Sequence, residues 1–204
     1  MEREIFFNQQ ANTLHGRLGT VSNERAAIIT HPHPLYGGDM DNAVVSALVK
    51  AFARMQWTTL RFNFRGTGLS QGRFDNGVGE QEDVQAAIDF LKQEGFQQID
   101  LAGYSFGAWV LACWSRTHHP HPHNIRFVAP PVAFVDFENH RPLPGVRHIF
   151  VGSRDDLAPA DQIQAALPHW QSDAQLHIIQ NADHFFGSHL QALQTDICTT
   201  LKNN

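Results

Sequence analysis

Short apolar runs alternate with stretches of helical spacing along almost the whole chain, and that alternation limits it to a layered α/β architecture. Residues 25–30, Arg25-Ala26-Ala27-Ile28-Ile29-Thr30, form a continuous run of the kind a central strand needs when helices cover both faces. Residues 57–64, 99–102, 125–129, 146–151 and 175–179 share that strand character. Between them, 41–55 carries Val44, Val45, Leu48, Val49 and Phe52 at helical spacing, and 80–94 carries Val84, Ala87, Ile88 and Leu91. Residues 108–114, 159–167 and 188–201 continue the pattern. Two further strands, 3–7 and 13–19, precede it around a polar turn. Strands alternating with helices predict a doubly wound, mostly parallel sheet flanked by helices. No repeat or low-complexity linker interrupts the 204 residues, so one α/β domain over 1–204 is expected.

Composition narrows the partners. A net charge of −5 gives no electrostatic reason to expect nucleic acid or an anionic membrane. No apolar stretch approaches a membrane span, and the first residues lack the apolar core of a signal peptide. Cys113 and Cys198 each sit in a helical pattern and read as free thiols of a reducing compartment. A cytoplasmic location is the expectation.

Gly103-Tyr104-Ser105-Phe106-Gly107 stands where a strand gives way to a helix that is apolar on nearly every face. G-x-S-x-G alone arises by chance in roughly one chain of this length in fifteen, so its context matters. A serine between two glycines at such a corner is a nucleophile elbow. The turn strains the serine backbone, the glycines let strand and helix approach, and the hydroxyl meets the positive end of the helix.

A serine hydroxyl attacks only when a base takes its proton and a third group orients that base. In one arrangement of such triads the acid and then the histidine follow the serine along the chain. Asp155, after the strand ending at Val151, and His184, after the strand ending at Ile179, occur in that order. Sites in open parallel sheets form outside the carboxyl ends of the strands, so these loops can converge. Asp156 competes for the acidic role, and Asp183 is a weaker rival.

The turn Thr30-His31-Pro32-His33-Pro34-Leu35-Tyr36-Gly37-Gly38 follows a central strand, where such folds carry an oxyanion donor. Pro32 and Pro34 have no N–H, which leaves His33, Leu35, Tyr36 or a later residue. The other donor is the Phe106 amide. The histidines of this turn come with no evident carboxylate or cysteine ligands, so no metal is expected. The glycine-rich loop Phe62-Asn63-Phe64-Arg65-Gly66-Thr67-Gly68-Leu69-Ser70 lacks the phosphate-binding pattern that opens directly into a helix. The tract His118-His119-Pro120-His121-Pro122-His123 reads as a polar loop on the far edge, with Ni²⁺ or Zn²⁺ binding the minor alternative.

Only residues 130–145 separate the strands at 125–129 and 146–151, and sixteen proline-rich residues can build a wall but no cap domain. Val132, Phe134, Val135 and Phe137 there, with Phe185 beside the histidine, are candidates for an acyl pocket; core packing suits the first four equally well. An open site predicts small or conformationally unrestricted acyl substrates.

Five motifs in order carry a resemblance: H-P-H-P-L-Y-G-G at 31–38, N-F-R-G-T-G-L-S at 63–70, G-Y-S-F-G at 103–107, G-S-R-D-D at 152–156 and D-H-F-F at 183–186. Nearly the whole chain resembles the α/β-hydrolases, and within them a small bacterial subgroup of lidless serine hydrolases similar to dienelactone hydrolase. The resemblance implies the triad Ser105, Asp155 and His184, with a serine where dienelactone hydrolase itself uses cysteine. It implies hydrolysis of a small-molecule carboxylic ester or thioester, without a cofactor. A peptidase, an acyltransferase or a non-catalytic binding protein on the same fold are the alternatives, and a homodimer stays open.

Overall fold

A computed structural model describes residues 2–9, 12–118, 124–137, 141–170 and 173–202. The predicted alternation appears as one eight-stranded sheet: β1 (Glu2–Gln9), β2 (Asn12–Gly19), β3 (Arg25–Thr30), β4 (Thr58–Phe62), β5 (Gln98–Tyr104), β6 (Ile125–Val128), β7 (Val146–Gly152) and β8 (Gln175–Ile179). Their order across the sheet is β1-β2-β4-β3-β5-β6-β7-β8. The first hairpin and its junction with β4 are antiparallel, and every pairing from β4 to β8 is parallel.

Among the described residues five α-helices complete the layers: α1 (Ala43–Arg54), α2 (Gly79–Gln93), α3 (Phe106–Thr117), α4 (Ala160–Trp170) and α5 (Leu190–Lys202). The path from β3 through α1 to β4 runs one way across the sheet, and that from β4 through α2 to β5 runs back. Right-handed crossovers therefore place α1 and α2 on opposite faces. α5 packs on α1, and α3 packs beside α2. Covered on both sides, β3 buries Ala26, Ala27, Ile28 and Ile29 completely.

The sequence reading placed the end of the fourth helix at residue 167, before Pro168. The helix runs on through that proline to Trp170. Burial is the reason: Trp170 is 1% exposed, its ring lies 5.6 Å from that of Phe137, and its carbonyl accepts the Leu143 N–H at 2.6 Å. The described part of 130–145 contains a turn over Pro131–Val135 and no helix or strand. Among the described residues no helix is long and apolar enough to cross a membrane. Residues 119–123 of the histidine tract lie outside the described part.

Candidate active site

The carboxyl ends of β3, β5, β7 and β8 bring four loops together. Ser105 forms the corner between β5 and α3, with φ 53° and ψ −118°. A non-glycine residue held there costs about 1–3 kcal/mol. Its amide is fixed by donating to the Val128 carbonyl at 2.9 Å. The flanking glycines answer to close contacts: a Cβ on Gly103 would lie 2.7 Å from the Ala108 nitrogen, and one on Gly107 2.8 Å from the His31 carbonyl oxygen.

The loops after β7 and β8 are stitched to each other. The amides of Ser153 and Arg154 donate to the carbonyls of Ile179 and Ala182 at 3.0 and 2.9 Å, and Ser153 Oγ accepts the Asn181 N–H at 2.8 Å. Gly152 allows this approach, since a Cβ there would lie 2.2 Å from the Ala182 carbonyl oxygen.

The consequence is a continuous polar path. His184 Nε2 lies 3.0 Å from Ser105 Oγ, and His184 Nδ1 lies 3.0 Å from both oxygens of Asp155. All three residues are buried. Asp155 Oδ1 also accepts the amides of Leu157 and Ala158 at 3.0 and 2.8 Å, which fixes the carboxylate behind the ring. Asp156 is exposed, and exposed Asp183 uses its Oδ1 to accept the Phe185 amide at 3.1 Å, so neither rival reaches His184 Nδ1.

Of the donors considered in the 33–36 turn, two are spent. The Leu35 N–H donates to His33 Nδ1 at 3.2 Å and the Tyr36 N–H to the His33 carbonyl at 3.1 Å. Those bonds close the 3₁₀ turn Pro34–Tyr36 and remove both amides as oxyanion donors. The amides of His33 and Phe106 have no acceptor among the described residues.

His31 holds this turn in place. Its Nδ1–H donates to the Pro32 carbonyl at 2.7 Å and its Nε2 accepts the Phe64 amide at 3.0 Å. Both ring nitrogens are thereby used, and complete burial lowers its pKa to about 4, which keeps the ring neutral. The glycine-rich loop is likewise a clasp. Asn63 Oδ1 accepts the Met40 amide at 2.8 Å, Ser70 Oγ donates to the Asn63 carbonyl at 2.6 Å, and Arg65 forks onto buried Asp83.

Ser105 and His184 open on a cleft of about 420 Å³, within the range of small-molecule sites. Pro131, Phe134, Val135 and Leu157 form one wall, Tyr36 and Gly37 face it, and Phe185 stands beside His184. Tyr36 and Phe134 meet edge-to-face at the mouth, centroids 6.2 Å apart. The structure corrects two pocket assignments. Phe137 is core, packed on Phe127 and Trp170, and Val132 packs against the core instead of lining the cleft. The turn Pro131–Val135 points alternate residues in directions that an irregular segment does not announce.

Two residues escaped the sequence reading. Tyr104 lines the cleft, donates its hydroxyl to the His184 carbonyl at 3.1 Å, and lies against the imidazole with centroids 5.6 Å apart. Burial, helped by the nearby Asp155 and Asp183 carboxylates, pushes that hydroxyl's pKa up, so it stays a donor. Only its place inside the elbow motif hinted at it. Asn42, the N-cap of α1, also lines the cleft; its signal was a cap residue directly before a helical pattern.

No family model matches the chain. An α/β serine hydrolase homologue from Coxiella burnetii superposes with a TM-score of 0.87 at 33% identity, over 98% of this chain and 97% of its own. The chain belongs to the α/β serine hydrolase family. An α/β serine hydrolase of Xanthomonas campestris described as lacking a lid matches this family member at 26% identity and a TM-score of 0.88, over 99% and 94% of the two chains. An uncharacterized protein of Rickettsia prowazekii is 38% identical over 90% of this chain and 82% of its own length.

Proposed function

We propose that this α/β-hydrolase cleaves a carboxylic ester or thioester of a small acyl substrate through an acyl-enzyme at Ser105. The observation that carries the reading is the path from Asp155 through His184 to Ser105, 3.0 Å at each step and opening on an apolar cleft. As Ser105 Oγ attacks the acyl carbon, His184 Nε2 takes its proton, and Asp155 stabilises the imidazolium. The amides of Phe106 and His33 donate to the oxyanion, and losing one such donor costs roughly 10²–10³ in kcat. His184 then protonates the departing alkoxide or thiolate. Water enters, gives a proton to His184 and releases the acid, restoring Ser105.

The resemblance of the five motifs to those of lidless hydrolases similar to dienelactone hydrolase supports this reading. Among the described residues no Lys or Arg lines the cleft. That favours plain esters over acyl-coenzyme A, whose phosphates need cations. The test is a fluorophosphonate probe followed by mass spectrometry. Labelling of Ser105 in the native protein, lost in Ser105→Ala, is expected; labelling that survives the substitution overturns the proposal.

A further inference from the structure

Beyond the reacting serine, the cleft carries two fixed polar side chains whose acceptor atoms are already engaged. Asn42 caps α1: its Oδ1 accepts the Val44 amide at 2.8 Å, so the assignment of oxygen and nitrogen follows from that bond. Its Nδ2 has no partner among the described residues, and the residue lines the cleft. His33 caps the neighbouring 3₁₀ turn in the same way, its Nδ1 accepting the Leu35 amide. A neutral imidazole that accepts at Nδ1 carries its proton on Nε2, and the ring is wedged among Tyr36, Phe74 and Phe106 at centroid distances of 4.8, 5.1 and 4.8 Å. Two side chains that line the cleft thus each spend an acceptor on the backbone and keep N–H donors with no partner among the described residues.

Taking the esterase reading as its basis, we infer that the substrate carries a second, neutral oxygen acceptor, a keto, ether or amide oxygen, that Asn42 Nδ2–H and His33 Nε2–H bind. Neutrality follows from the lining, which contains no Lys, Arg, Asp or Glu among the described residues; a carboxylate there would have no counter-ion. A purely hydrocarbon acyl group would strip both donors of water without replacing its hydrogen bonds, and sites built to bond a polar atom discriminate strongly against analogues that lack it.

Isosteric pairs test this. 4-Nitrophenyl methoxyacetate and 4-nitrophenyl butyrate exchange one oxygen for a methylene in the acyl chain, and 2-methoxyethyl acetate and butyl acetate do so in the alcohol. Asn42→Asp keeps the helix cap and removes the donor, and His33→Asp keeps an acceptor for Leu35 and leaves no side-chain N–H. Comparing the oxygen-to-methylene ratio of kcat/KM between variant and native protein cancels the intrinsic reactivity of the esters. In at least one pair the ratio is expected to fall about tenfold or more in each variant. Ester cleavage with both ratios unchanged within about twofold overturns this inference alone. If no ester is cleaved and Ser105 takes no fluorophosphonate label, the esterase reading falls and this inference with it.

Discussion

Both edges of the sheet hold a buried aspartate and buried or half-buried histidine, yet they are built for opposite ends. At the carboxyl edge, His184 has a carboxylate behind it, a hydroxyl 3.0 Å ahead and an apolar cleft beyond. Toward the amino edge, Asp100 is paired with Arg126 at 2.7 Å, both fully buried, and His148 Nδ1 faces His177 Nε2 at 3.1 Å. Burial, followed by the Arg126 charge, lowers the pKa of His148 to about 4. Burial of polar groups therefore does not by itself mark a site. What marks the carboxyl edge is an ordered path from carboxylate to imidazole to hydroxyl, with the strained Ser105 backbone at its end.

The sharpest way to break this contrast is to delete one group at each edge. Ser105→Ala and Asp155→Asn are each expected to lower kcat by about 10⁴ or more, with a thermal midpoint close to native. Ser105→Gly is equally inactive but more stable than Ser105→Ala by about 1 kcal/mol, because glycine accepts the positive φ. Equal midpoints for the two variants would remove strain from the account. Arg126→Met breaks the buried Arg126–Asp100 pair and is expected to cost about 3–5 kcal/mol, a drop of roughly 10 °C in Tm, while kcat of the folded protein is retained. A loss of kcat without loss of Tm would show that the amino edge serves the chemistry.

Acid sharpens the comparison next. His31 and His148 hold folded pKa values of about 4, below the ordinary histidine value of 6.5. The unfolded chain binds their protons first, so their contribution is fully present above pH 6.5 and is lost as pH falls toward 4. For fully buried His31 the loss approaches about 3 kcal/mol. Glu80 and Asp83, whose pKa values burial raises, act with the opposite sign. Denaturant midpoints from pH 7.5 to 4.5 in native protein and His148→Asn separate the terms: the fall with acid becomes shallower in the variant. Parallel curves would remove His148 from the acid response.

How much of this was legible follows from where each signal lives. Strand and helix periods, and residues at strand ends, are local, so the sheet, Ser105, Asp155 and His184 were within reach of the sequence. Gly103, Gly107 and Gly152 were visible as glycines, but what they avoid is a partner from another loop. The choice of Asp155 over Asp156 depends on how the 152–155 turn wraps the Ala182 carbonyl, a contact between segments far apart in sequence. The oxyanion turn was open among three residues because the side chain of His33 captures the amide of Leu35, which no spacing rule announces. Phe137 and Phe134 look alike in an aperiodic segment, and only the neighbouring Trp170 decides which is core.

Tyr104→Phe is the smallest change and probes the contrast from within the site. The ring stays, so its contact with His184 and the packing beneath the elbow are kept. Only the hydrogen bond to the His184 carbonyl goes, leaving that buried acceptor short of a partner at a cost of about 1–2 kcal/mol. A purely structural role would lower Tm and leave the kinetics of the folded protein alone. A positioning role also loosens the backbone from which the imidazole reaches Ser105, and a small misplacement of a base weighs on the proton-transfer step more than on substrate binding. The expected result is a several-fold fall in kcat with KM nearly unchanged, together with a lower Tm. Unchanged kcat beside a lower Tm would assign Tyr104 to the core and leave Asp155 as the sole group that orients His184.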